Sequence, residues 1–199
     1  FYGPKGYLAI DNAAGYKTLV HKLNAVGPYL AAFTERLQQA MAKGITQPRV
    51  VMERVPDEIK ANIAQDPVQS PFYAPFKKLP ESIPAAEQAK LQSEAKDAIT
   101  RSVNPAYEKF LKFFADDYLP HARATVSVSS LPGGKDYYAY LVRHYTTTDM
   151  TPRQVHELGL KLVAQIHGEM EAVFKQIGFQ GSYKDFVHYL RTDPKFYYK

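Results

Sequence analysis

The chain has 199 residues, 45% hydrophobic and 23% charged, with a formal net charge of +5. This is the profile of a folded chain with material for a substantial core, and it excludes intrinsic disorder. Cysteine is absent, which excludes disulfides and thiolate metal ligands. The basic residues alternate with acids and never form a long like-charged block, so no nucleic-acid partner is expected. No apolar run approaches the ~18 residues of a membrane span, and none is expected.

The sequence opens Phe1-Tyr2-Gly3-Pro4 and closes Phe196-Tyr197-Tyr198-Lys199. Aromatic clusters at both ends contrast with the polar ends usual for a domain. The expectation is a fragment of a longer protein, with apolar surface left open near Phe1–Tyr7 and Phe196–Tyr198.

Asp11 or Asn12 can cap a first helix with Tyr16, Leu19, Val20, Leu23 and Val26 at helical spacing, ended by Gly27-Pro28. A second carries Leu30, Phe33, Leu37, Ala40 and Met41 and ends at Gly44. A third starts at Pro48, and Pro56 should kink or split it, lacking an N–H and crowding the preceding turn. Residues 66–84 hold five prolines with Phe72, Tyr73 and Phe76 between them. They read as a long ordered loop pinned by aromatics. An Ala-, Glu- and Lys-rich helix runs from Pro84 to about Val103. Asn104-Pro105 then reads as a cap with proline at the first helical position, opening a helix that carries Phe110, Phe114 and Tyr118.

Thr125–Ser130 alternates and is β-branched, and is the strand candidate. After Gly133-Gly134 a helix is predicted through Tyr145. Thr151-Pro152-Arg153-Gln154 has the residues of a capping box, and an apolar face from Val155 to Ile177 follows, closed by Gly178. Ser182 caps a last helix, stopped by Asp193-Pro194. The fold class is mostly α: an antiparallel helical bundle-like array with at most one or two short strands near 125–131. Residues 1–199 are expected to form a single helical domain.

His156-Glu157 on a helix invites comparison with His-Glu-x-x-His zinc sites, which need two imidazoles one turn apart. The position four after His156 is Leu160, and the next helical histidine is His167. Eleven residues at 1.5 Å each separate the two by about 16 Å, too far to share an ion. No Gly-x-Ser-x-Gly elbow, Walker loop or dinucleotide fingerprint is present. No catalytic or metal-binding residue is therefore assigned. Tyr137, Tyr138, Tyr140 and Tyr145 have an ordinary explanation as spacers between helices. The other reading is a cleft wall in which Gly133 and Gly134 admit a ligand backbone, Tyr138 lines the side and Arg143 offers a fork to a carboxylate.

The motifs Tyr118-Leu-Pro-His-Ala-Arg123, Leu131-Pro-Gly-Gly134, Tyr137-Tyr-Ala-Tyr140, Tyr145-Thr-Thr-Thr148, Thr151-Pro152, His156-Glu-Leu-Gly159 and Leu190-Arg-Thr-Asp-Pro194 carry a family resemblance. Gly44–Val51, Ser70–Tyr73 and Phe76–Pro80 extend it over essentially the whole chain. They resemble a bacterial domain-of-unknown-function family of secreted or lipoprotein zincin-like zinc peptidases. The resemblance implies a mostly helical metallopeptidase of about three times this length. Its His-Glu-x-x-Pro-Gly-His-His segment would lie downstream of Lys199, in a C-terminal catalytic part of the same protein. It further implies zinc in the full-length protein but none in this fragment, a peptide substrate, and a periplasmic or membrane-anchored lipoprotein location. The chain would then be the non-catalytic, cleft-forming portion. The alternative is a peptide-binding or scaffold module from a catalytically inactive family member.

Overall fold

The structure is a computed structural model that describes residues 10–198. The expected apolar surface near Phe1–Tyr7 lies outside the described residues; Phe196, Tyr197 and Tyr198 are exposed. The chain divides into two compact units, Phe1–Pro132 and Gly133–Lys199. It is mostly helical, and among the described residues no strand forms.

The first unit is built on two long helical runs. The first comprises α1 (Ala13–Asn24) and α2 (Val26–Ala42), which meet at Ala25. Asn12 caps α1 by accepting from the Gly15 N–H. The break falls before Gly27-Pro28, not at it: both residues lie in the first turn of α2, where a missing proline N–H costs no hydrogen bond. Two short helices follow, α3 (Arg49–Met52) and α4 (Val55–Lys60), with Pro56 in the first turn of α4, so the proline splits the expected third helix.

The second run joins α5 (Ala85–Ala98), α6 (Asn104–Phe113) and α7 (Leu119–His121) through π-helical turns at Ile99–Val103 and Phe114–Tyr118. Asn104 stays in the right-handed helical region, so it is not the cap its sequence suggests. Each π turn precedes a proline, Pro105 or Pro120. A proline ring collides with the carbonyl four residues back, and here those are residues 101 and 116, both inside a π turn. The Asn104 and Leu119 N–H groups bond five residues back, to Ile99 and Phe114. This widening lets the helix pass the prolines without ending.

The two runs lie side by side and parallel. Lys17 bonds Glu87, Ser102 bonds Asn24, the Phe33 ring meets Phe110, and the Gln47 N–H bonds Tyr118. The antiparallel arrangement expected from short connections does not apply to this pair, because the whole 43–84 segment is available to carry the chain back.

One core cluster, including Leu23, Phe76, Leu91, Ala95, Ile99 and Val103, lies between α1, α5 and the 66–84 loop. A second, of Ile59, Phe110, Phe113, Phe114 and Tyr118, lies beside α2 and α4. The loop is ordered as its aromatics predict. Phe76 meets Tyr16 edge-on at 5.5 Å and Phe72 packs on Tyr107 at 5.6 Å. Gln92 donates to the Phe76 carbonyl, and Gln88 to those of Pro80 and Ile83.

The second unit contains α8 (Gly134–Thr146), α9 (Pro152–Gln176) and α10 (Tyr183–Thr192). Thr151 and Gln154 form the expected capping box. Gly178, at φ +69°, ends α9 in a Schellman turn, with Phe179 N–H bonded to the Phe174 carbonyl and the two rings 6.2 Å apart. Ser182 and Asp185 form a second capping box; hydrogen bonds from the Ser182 hydroxyl and N–H hold the Asp185 carboxyl below its ordinary value.

Candidate functional site

Three sequence motifs converge in the first unit. Loop residues 44–48, the end of the second helical run and the loop leading to Pro132 are tied by a small hydrogen-bond network. The Arg123 N–H donates to the Thr46 hydroxyl at 3.1 Å, and its Nε to the Thr46 carbonyl at 2.8 Å. The Arg49 N–H donates to the Arg123 carbonyl at 2.7 Å. The Arg49 guanidinium reaches the Leu119 carbonyl, which also accepts from the Ala122 N–H, and the Pro120 carbonyl at the end of the helical run. The Tyr118 hydroxyl, on a side chain 2% exposed, accepts from the Gln47 N–H.

A planar guanidinium can serve several acceptors at once, and that of Arg123 also donates to the Thr125 and Ser127 carbonyls and to Ser130. This is why Thr125–Ser130 is not a strand. It has no partner strand, and its hydroxyls bond locally: Ser127 caps a 3-10 turn over Val128–Ser130. Gly44 sits at φ +69°, and the Pro132 ring stands 3.7 Å from where its Cβ would be. The network is a framework joint, since its donors and acceptors answer one another.

The residues suggested for a cleft begin where this joint ends. Gly133 takes the left-handed conformation, φ +66°, which only glycine adopts readily, and starts α8. Gly134 is buried, while Tyr138 is 42% exposed and Arg143 is exposed. Five residues of helix separate Tyr138 from Arg143, which sets them about 140° apart around α8. They do not share a face. The structure instead groups two of the tyrosines offered for the cleft wall, Tyr140 and Tyr145, around His144, which the motifs did not single out. Tyr140 stacks on His144 at 5.8 Å, and Tyr145 meets the same imidazole edge-on at 5.0 Å. The i,i+4 spacing of Tyr140 and His144 was the available signal.

The histidines stay apart. His156 is exposed on α9, and its neighbour Glu157 is held by Arg153 at 2.7 Å. His167 lies near Tyr183 and, with Met170, Glu171 and Phe174, lines a cavity of about 70 Å³. Ligand pockets run to roughly 300–1,000 Å³, so this is no peptide site. Among the described residues no three His, Cys, Asp or Glu side chains come together to hold a metal ion. No described helix is long and apolar enough to cross a membrane.

The fold is shared with a crystal structure of a candidate lipoprotein from Colwellia psychrerythraea. The match has a TM-score of 0.76 at 22% identity and covers 96% of this chain but 33% of that one. The chain thus spans about a third of the length of this solved relative. No curated protein is significantly similar to it. Residues 7–199 match the family of bacterial proteins of unknown function designated DUF885, and the chain belongs to that family.

Proposed function

We propose that this chain is the non-catalytic, helical, cleft-forming portion of a longer zinc-dependent metallopeptidase-type protein of the bacterial envelope. The observation that carries the reading is the length relation: the fold matches almost all of this chain and only a third of a candidate lipoprotein. The motif resemblance supports the peptidase chemistry, and the neighbour's description supports the envelope location.

The described residues do not fit zinc, because no three of their imidazoles and carboxylates come together. Zinc, when held by the remainder of the longer protein, would supply an activated water there. This chain would supply the wall against which a peptide lies, from Gly133 and Gly134 with Tyr138 on one face of α8, or with Arg143 on the other.

The test is metal analysis and peptide turnover on the longer protein and on the 199-residue chain. The longer protein is expected to carry zinc and to lose turnover on chelation; the short chain should show neither property. In the longer protein, Arg143→Ala is expected to raise KM on the order of tenfold if the guanidinium binds a substrate carboxylate. A longer protein that neither binds zinc nor cleaves peptides sinks the reading.

A further inference from the structure

Helix α9 is amphipathic over 25 residues, yet its apolar stripe is bare. Leu158 is 42% exposed, Leu162 45%, Val163 53%, Ile166 50% and Val173 47%. Along the stripe only Phe174, near the C-terminal end, is buried, against Phe179 and Phe186. A helix of this kind draws most of its stability from packing that stripe.

Gly159 supplies a second, independent observation. At 100° per residue it falls within the stripe, between Val155 and Leu162 on one side and Val163 on the other. A mid-helix glycine costs about 1 kcal/mol relative to alanine. Nothing lies within 4 Å of where its Cβ would be, so no neighbour in the structure accounts for it. Glycine on a helix face admits a close backbone approach.

We infer that the Leu158–Leu162–Ile166 face of α9, with the notch at Gly159, is the seat of a helix supplied by the part of a longer polypeptide that this chain does not contain. The length relation identifies the occupant: the chain matches 33% of a relative that shares its fold, leaving the other two thirds to provide the cover. The inference rests on the chain being part of a longer protein. It does not rest on peptidase chemistry.

Because the chain has no cysteine, single cysteines can report the face. Ile166→Cys lies in the stripe and Lys161→Cys about 140° away from it on the polar side. Native thiol labelling would be followed by mass spectrometry of the α9 peptide, in the longer protein and in the 199-residue chain. The expected result is similar labelling of both cysteines in the short chain. In the longer protein, Ile166→Cys should label at least tenfold more slowly than Lys161→Cys. Equal rates in the longer protein overturn the inference. So does protection of Ile166→Cys in the short chain, whether constant or rising with concentration; the rising case would assign the face to a second copy. A sign reversal provides a second check. Gly159→Leu should raise the melting temperature of the short chain, where it only improves helix propensity, and lower that of the longer protein, where it fills the notch. A rise in both also overturns it. Zinc content and turnover in the same longer protein report separately on the peptidase reading.

Discussion

Asn104 shows how one side chain can be misread and still be decisive. Its Nδ2 donates to the Ala64 carbonyl at 2.7 Å, and its Oδ1 accepts from the Ala64 N–H at 3.4 Å. It therefore fastens the chain just after α4 to the start of α6, forty positions away in sequence. Both Ala64 groups are partly buried and have no place in a helix or sheet ladder. Asn104→Ala is expected to destabilise the protein by about 1–3 kcal/mol, the cost of leaving such groups unpaired. Denaturant titration should show a lower midpoint at unchanged slope, and an unchanged midpoint would show that water replaces the amide without loss. The exposed pairs contrast with this. Lys112–Asp116 and Arg153–Glu157 join side chains four apart that remain largely in solvent, where such contacts add little.

At the scale of elements, the paired π turns and prolines invite a coupling experiment. A π turn is one residue of surplus in an α-helix, so deleting exposed Arg101 should restore α-helical spacing between α5 and α6 without rotating either. The Pro105 ring would then meet the carbonyl four residues back, at a cost of about 3 kcal/mol. The deletion alone is expected to destabilise by that order. Adding Pro105→Ala to it should recover most of the loss, in thermal unfolding followed by circular dichroism. Failure of the second change to rescue the first would separate the π turn from the proline. The capping boxes of α9 and α10 need no such compensation, because their hydrogen bonds close within four residues.

At the scale of the molecule, the two units differ in how they are held. Both core clusters lie within residues 10–132. In the second unit, Phe174 is the one large apolar side chain that is buried among the described residues. Its aromatic neighbours Phe179 and Phe186, themselves packed on Tyr189, close one end of α9 and leave the Leu158–Ile166 face open. Residues 10–132 expressed alone should therefore unfold cooperatively, at a midpoint close to the main transition of the whole chain. Calorimetry showing a broad, non-cooperative melt for that piece would place part of its stability elsewhere.

Much of the local structure was legible in the sequence. The Thr151 and Ser182 caps, the split at Pro56 and the left-handed glycines Gly44 and Gly178 follow from contacts a few residues apart. Local chemistry encodes them directly. The aromatics of the 66–84 loop were legible as pins, but their distant partners Tyr16 and Tyr107 were not. The sequence also separated His156 from His167, because helical rise is fixed by the backbone. The tertiary structure decided what depends on distant partners. Asn104 and Pro105 read as a helix start, and only packing against Ala64 and the preceding π turn carries the helix through them. Thr125–Ser130 has the alternation of a strand, but a strand needs a neighbour, and Arg123 meets its carbonyls instead. The parallel course of the two long runs was hidden because helical periodicity fixes which face is apolar and not the direction of the helix packed on it. The same limit applies to α9: its sequence specifies a stripe seeking cover, and the tertiary structure shows the stripe to be bare.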